Sequence, residues 1–244
     1  MITIENVHKA FDIPILRGVN LVIPPGCLYG LIGPAGSGKT VLLKIITGLL
    51  RPDLGRVSVS GRDLGQLDEL GIHELRKRIG MQFQNNALFD YMTVAENIAF
   101  PLRRLTSLGE DEIAKRVAER LQVVSLPGFE KRLPAGLSGG QKRRVGVARA
   151  TVTGAPIVIY DEPAAGLDPV TSQKIFDLLR AEQRAAGSTV VMVSSDLDRL
   201  LPVTDRVGMM YRGRLIFDGT TKEAFASRNQ FVKQFVHGLP DGPL

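Results

Sequence analysis

The eight residues Gly33-Pro34-Ala35-Gly36-Ser37-Gly38-Lys39-Thr40 carry the plainest chemistry in the sequence. Glycines at the first, fourth and sixth positions let a backbone curl until several N–H groups face one anion. A lysine directly after such a loop reaches the β- and γ-phosphates of a nucleotide, and the next hydroxyl can serve Mg²⁺. The candidate nucleotide site is therefore read as Gly33 through Val41. The other reading is a glycine-rich turn that binds nothing. The context argues against it: an apolar run, Cys27 to Ile32, precedes the loop, and Val41 to Ile46 reads as a helix. The helix adds its positive N-terminal end.

Phosphate chemistry needs a second metal ligand and a means of activating water. The run Ile157-Val158-Ile159-Tyr160-Asp161-Glu162 offers both. An apolar strand here places Asp161 at its tip beside a metal, and Glu162 one residue on, able to take a proton from water. An ordinary acidic pair ending a strand is the alternative for this segment alone. Leu137-Ser138-Gly139-Gly140-Gln141 adds a Ser/Gly helix start with unpaired N–H groups, a second anion cradle. One bound nucleotide does not need two cradles. Unless this segment is only a helix cap, the economical reading is that it faces the nucleotide of a second subunit.

The elements that must position these residues follow from periodicity. Ile2 to Val7 alternates and reads as an edge strand, and Val19 to Ile23 as a second strand. Arg51 to Gly55 reads as a turn and Arg56 to Gly61 as a period-two strand. Together these predict a small antiparallel sheet. Ile72 to Lys77 reads as a short helix and Ile79 to Gln84 as a buried strand. Thr93 with Glu96 forms a capping-box pattern, Glu110 to Val124 has helical spacing, and Thr171 to Ala186 is amphipathic. Thr189 to Val193 reads as a central parallel strand. Arg206 to Tyr211 and Arg214 to Phe217 flank Arg212-Gly213 as a hairpin, with short helices at Glu223 to Ala226 and Phe231 to His237. The expected architecture is α/β: a P-loop NTPase core with an antiparallel β-subdomain and a helical subdomain inserted at about 86–155. The catalytic domain is expected to span 1–236, with a tail at 237–244.

Composition narrows the partners without choosing among them. The chain has 244 residues, 44% hydrophobic and 23% charged, with 31 basic and 25 acidic residues and a net charge of +6. That is an ordinary globular profile. The basic balance suits phosphate ligands, an anionic membrane or nucleic acid, but the charges are mixed along the chain. Cys27 is the only cysteine, so no internal disulfide forms, and it is expected to pack as a small apolar residue. Neither a leader pattern at Met1 to Glu5 nor an apolar run approaching about 18 residues is found. Work at a membrane would thus require docking on other subunits.

Taken together, these motifs resemble the ATP-binding cassette (ABC) ATPases over nearly the whole chain. The resemblance implies ATP and Mg²⁺ as cofactors. Gly33 to Thr40 correspond to the Walker A loop, Ser138, Gly139, Gly140 and Gln141 to the signature, and Asp161 and Glu162 to Walker B and the catalytic glutamate. Gln84 corresponds to the Q-loop glutamine, which in the family reaches metal and attacking water. Ala165-Gly166-Leu167-Asp168 correspond to the D-loop, which crosses to a partner subunit. Phe11 stands where the family carries an aromatic that stacks on adenine; core packing is its other reading. The stretch Phe83 to Leu102 and the ending Gln230 to Leu244 further resemble the ATPases of Mla/Mce-type lipid transport systems; the other reading is ordinary variation among import-type cassettes, serving another substrate class such as amino acids. The ending is expected to follow the ATPase core without a further regulatory domain. The implied partners are a second copy of the ATPase, integral membrane permease subunits, a small regulatory subunit and a lipid-binding Mce-type protein. No nucleic acid is implied, because the long coiled coils or paired cassettes of the non-transport members are missing. The implied location is the cytoplasmic face of the inner membrane, as a peripheral subunit.

One position departs from the family pattern. After the strand Thr189 to Val193 the family has histidine, whereas this chain has Ser195 within Val193-Ser194-Ser195-Asp196. Its three histidines, His8, His73 and His237, lie elsewhere. Serine is shorter and carries no positive charge near neutral pH. The binding apparatus is therefore expected to be whole and turnover through Glu162 to be slow; a weakly hydrolysing, ATP-gated regulatory subunit is the other reading. Installing the histidine, Ser195→His, should raise steady-state ATP hydrolysis about tenfold, roughly one charge-assisted hydrogen bond's worth of barrier. Glu162→Gln should abolish hydrolysis; equal turnover in wild type and Glu162→Gln would contradict this assignment.

Overall fold

The computed structural model describes all 244 residues, Met1–Leu244. The architecture is mixed α/β, and the chain divides into two compact units, Met1–Arg76 with Thr189–Leu244, and Lys77–Ser188. In chain order, the first unit opens with β1 (Ile2–Ala10), β2 (Pro14–Ile23), β3 (Leu28–Ile32), α1 (Lys39–Ile46), β4 (Leu54–Val59), β5 (Arg62–Asp63) and α2 (Glu69–Arg76). The second unit contains β6 (Ile79–Gln82), α3 (Val94–Leu105), α4 (Glu110–Val123), α5 (Gly139–Thr151), β7 (Ile157–Asp161) and α6 (Pro169–Ala186). The chain then completes the first unit with β8 (Thr189–Val193), α7 (Leu197–Val203), β9 (Arg206–Tyr211), β10 (Arg214–Thr220), α8 (Thr221–Phe225) and α9 (Gln230–His237).

The first unit holds two groups of strands. The antiparallel sheet runs β2-β1-β4-β5. β1 is not the edge strand its alternation predicts: Ile2 pairs with Ile23 on one side and Val59 on the other. Alternation reports that one face is buried, as Ile2 and Ile4 are. It carries no information about how many edges are hydrogen-bonded. The other group runs β10-β9-β3-β8, with β3 parallel to both β8 and β9. Every residue of β3 is buried. Its Tyr29 hydroxyl donates to Asp218 Oδ1 at 3.1 Å, and Arg206 Nη2 donates to the same oxygen at 3.0 Å. This fastens three strands through one carboxylate, and burial holds the Tyr29 phenol far above its usual range. The hairpin at Arg212-Gly213 forms as expected, with φ of +46° and +79°. Helix α7 has no counterpart in the sequence expectations.

In the second unit β6 and β7 pair in parallel. The strand β6 stops at Gln82, so Phe83 and Gln84 lie outside it and are exposed rather than in a buried strand. α5 packs closely on β6: a Cβ at Gly80 would lie 2.0 Å from the Ala150 carbonyl oxygen. The expected capping box is formed, with Thr93 Oγ1 accepting from Glu96 N and Glu96 Oε2 accepting from Thr93 N. The backbone N–H of Thr93, then its hydroxyl, holds the Glu96 carboxyl below its usual range. No helix is long and apolar enough to cross a membrane.

Asn97, with no exposed surface, organises the turn before α3. Its Oδ1 accepts from Phe89 N at 2.9 Å, and its Nδ2 donates to the carbonyls of Phe89, Met92 and Thr93 at 3.0–3.1 Å. No apolar residue can meet those groups. Asn97→Ala should therefore cost about 2–3 kcal/mol, the penalty for stranding buried polar groups. A shift in the urea midpoint with an unchanged m-value is the expected observation; a loss under about 0.5 kcal/mol would refute this assignment.

Candidate nucleotide site

In the first unit the phosphate loop begins where β3 ends. Gly33 has φ +137°, and a Cβ there would lie 2.0 Å from the Met210 carbonyl oxygen. Only glycine lets the chain turn this close to β9. The loop re-enters regular structure at α1, whose N-cap, Gly38, supplies no side-chain cap, and whose first turn has no acidic residue. With no capping side chain and no first-turn carboxylate, the positive helix end suits an anion. Lys39 Nζ donates to the carbonyls of Gly33 at 2.6 Å and Pro34 at 2.9 Å, and lies 3.4 Å from Ser37 Oγ. Its ammonium is held over the loop. Ser37 and Gly38 are buried, Ala35, Gly36 and Thr40 are exposed, and Gly33, Pro34 and Val41 are intermediate. The apolar face of α1, Leu42, Leu43, Ile45 and Ile46, anchors the helix in the core.

Two more candidates lie in this unit. Phe11 follows β1 and is 59% exposed, which removes core packing as its explanation. The Lys9 ammonium lies 5.6 Å from its ring centroid. Ser195 is exposed two residues beyond β8. Because Leu31 pairs with Val193 in parallel, Ser195 and Gly33 leave the sheet at the same end and the same level. Ser194 Oγ accepts from Asp196 N at 3.1 Å, and Asp196 pairs with Arg199 at 2.8 Å.

The second unit carries the other candidates. Gln82 pairs with Tyr160 in the parallel register, so Gln84 and Glu162 both lie two residues beyond the paired ends. Asp161 ends β7 and is 4% exposed. Glu162 adopts φ +51°, a left-handed conformation that costs a non-glycine residue about 1–3 kcal/mol and concentrates at functional sites. The chain then turns, with Ala165 N donating to Glu162 O at 3.3 Å, and reaches Asp168. That carboxylate caps α6 by accepting from Val170 N at 3.0 Å and Thr171 N at 2.9 Å. Hydrogen bonds from Thr171, side chain first, hold its carboxyl below the usual range.

At the signature segment, Ser138 caps α5 in a reciprocal box: Ser138 Oγ accepts from Gln141 N at 3.3 Å and Gln141 Oε1 from Ser138 N at 2.9 Å. The helix cap is therefore formed, and it does not exclude an anion at the same helix start. The box uses the N–H of Ser138 and Gln141 and leaves Gly139 and Gly140 as first-turn donors, with the Ser138 hydroxyl proton still available.

The residues fit ATP with Mg²⁺. An uncapped helix start, a left-handed glycine loop and Lys39 suit phosphate oxygens. No three His, Cys, Asp or Glu side chains gather to cage a metal. The Gln84 amide and the Asp161 carboxylate in the second unit, and the Thr40 hydroxyl in the first, each offer an oxygen of the hard kind that suits Mg²⁺ sharing phosphate ligands. Sequence reasoning missed Arg143 and Arg149 of α5. Arg143 donates from Nη1 to the Gln84 carbonyl and from Nη2 to the Ala165 carbonyl at 3.1 Å. Their only sequence signal is a basic helix.

Known proteins agree with this chemistry. The family model described as ABC transporter matches residues 16–165. The methionine import ATP-binding protein MetN of Caulobacter vibrioides is 40% identical over 228 residues, covering 92% of this chain and 68% of that protein. The intermembrane phospholipid transport system ATP-binding protein MlaF of Haemophilus influenzae is 35% identical, covering 100% of this chain and 93% of that protein. Among solved structures, the ATP-binding cassette MJ0796, in a dimeric post-hydrolysis state bound to ADP and Pi, superposes with a TM-score of 0.85 at 32% identity. That match covers 91% of this chain and 99% of the other. A phosphate loop, a helix-capping signature and a strand-end acidic pair, in a chain matched over most of its length by such cassettes, identify a member of the ABC transporter family: an ATPase subunit that binds ATP with Mg²⁺.

Proposed function

We propose that this chain drives phospholipid transport between membranes, as the ATPase of an Mla/Mce-type system. It would work as a peripheral subunit on the cytoplasmic face of the inner membrane, on permease subunits, a lipid-binding Mce-type protein and a small regulatory subunit. The proposed catalytic domain spans 1–236, with its helical insertion at about 86–155. The observation that carries the lipid reading is the stretch Phe83 to Leu102. It builds much of an apolar groove of about 330 Å³ in the second unit, lined by Phe83, Phe89, Phe100, Pro101 and Leu105 among others. Phe89 and Phe100 lie 4.9 Å apart, centroid to centroid. Such a groove suits a short amphipathic helix of a permease. The match to MlaF, over 93% of that protein, supports the same reading. The specific alternative is methionine import, favoured by the identity to MetN.

The working unit is two copies of the chain with two nucleotides between them. The loop Gly33 to Val41 of one copy holds each ATP, Phe11 stacks on its base, and Ser138, Gly139, Gly140 and Gln141 of the other copy close over its phosphate. Asp168 lies at the turn that crosses between copies. Thr40, Gln84 and Asp161 would hold Mg²⁺, which would supply neutralisation of phosphate charge. Glu162 accepts the proton of the attacking water, and Ser195 offers a hydroxyl where the family has an imidazole. Because the phosphate joins both copies, its loss opens the dimer, a two-state switch driven by differential binding. MJ0796, likewise a dimer with ADP and Pi, supports this arrangement.

Glu162→Gln should bind ATP without hydrolysing it and accumulate as a dimer, doubling the mass seen by light scattering at saturating MgATP; a persistent monomer would remove the sandwich reading. The substrate is tested by purifying the intact membrane complex and identifying its contents by mass spectrometry. Co-purified phospholipid and a lipid-binding subunit are expected. A methionine-binding subunit in their place would favour the alternative.

A further inference from the structure

The segment after β6 closes one turn of its own, Asn86 N donating to the Phe83 carbonyl at 2.8 Å, and its next carbonyls are met from α5. Asn86 and Ala87 both adopt left-handed conformations, φ +59° and +47°. Consecutive residues of this kind turn their carbonyls away from the strand ladder. Two arginines of α5 meet them. Arg149 donates to the carbonyls of Asn86 and Ala87, the latter at 2.7 Å. Arg143 donates to the carbonyl of Gln84 and to Asn86 Oδ1 at 3.3 Å. Asn86 Oδ1 also accepts from the fully buried Gln82, at 3.3 Å.

Arg143 does more than fill this turn. Its second nitrogen, Nη2, reaches the Ala165 carbonyl at 3.1 Å, inside the turn that opens at the left-handed Glu162 and ends at the α6 cap. One planar guanidinium therefore touches the loop of Gln84 and the turn after Glu162. It does so from a helix that starts, five residues earlier, at Ser138. Burial draws the guanidinium below its usual range, and the charge of Glu162 opposes that shift. A lysine has one nitrogen and cannot span the same acceptors in a fixed fork.

We propose that Arg143 is a positioning residue that sets Gln84 and Glu162 from the signature helix, so that closure of this helix on one nucleotide aligns the hydrolytic groups serving the other. This inference rests on the sandwich reading above and adds to it a physical link between the two sites. Arg143 touches no phosphate in this scheme; it acts only through the backbone it holds.

The test uses the full chain with Arg143→Gln and Arg143→Lys. Arg143→Gln should lower kcat about tenfold while leaving KM for ATP within about twofold, as expected when alignment and not binding is lost. Amide hydrogen exchange in residues 83–88 and 163–167 should rise about tenfold with the rest of 77–188 unchanged, a local and not a global opening. The Hill coefficient for ATP should fall towards one, and Arg143→Lys should recover part of kcat. Unchanged kcat and exchange would overturn the proposal. So would faster exchange throughout 77–188 with equal loss of kcat and ATP affinity, which marks a merely structural residue. The exchange measurement needs no dimer. Failure of the sandwich reading therefore shows separately, as a Glu162→Gln chain that stays monomeric, and local exchange at 83–88 and 163–167 still decides whether Arg143 holds both turns.

Discussion

Parallel strands end together, and that constraint governs the rest. In the first unit β3 is buried at all five residues and has parallel neighbours on both sides. No side chain on it can bind a polar ligand. Chemistry must begin where the strand stops, at Gly33, and the register brings Ser195 to the same level. In the second unit the pairing of β6 with β7 sends out Gln84 and Glu162 at a common level. Ligand sites at the carboxyl ends of parallel strands follow from this geometry.

The two loops that leave these ends solve different problems. The phosphate loop needs donors facing inward, so it uses glycine, leaves its helix uncapped and draws Lys39 back over its own carbonyls. The Gln84 segment needs acceptors satisfied, and it takes guanidinium donors from α5. The close approach of α5 to β6 at Gly80 makes that possible. A substitution at Gly80 would act on the Gln84 loop without touching it.

Much of the site was legible because its chemistry is local. The glycine spacing, the Lys39-Thr40 pair, the apolar strand before Asp161, the capping pair Thr93/Glu96 and the Ser/Gly helix start at Ser138 each depend on neighbours within a few residues. Where the sequence misled, the deciding partner was distant. The alternation of β1 could not report that β4 pairs with its second edge. The apolar run Ile79 to Gln84 could not report that pairing stops at Gln82. α7 was hidden because it is only seven residues long and includes Pro202.

The run Lys142-Arg143-Arg144 shows the boundary most clearly. By sequence it is a basic stretch on a helix, which usually means a solvated face. In the fold, Arg143 reaches Gln84 and Ala165, while Arg144 turns to the carbonyls of Val124 and Ser125 at 3.4 and 3.3 Å. The sequence alone determined that the chain binds a nucleotide phosphate, because a loop of backbone donors is written in consecutive residues. Only the tertiary structure decided which side chains hold the hydrolytic loops in place, because a guanidinium finds its carbonyls across some 20 to 60 residues of chain, and no local pattern encodes that distance.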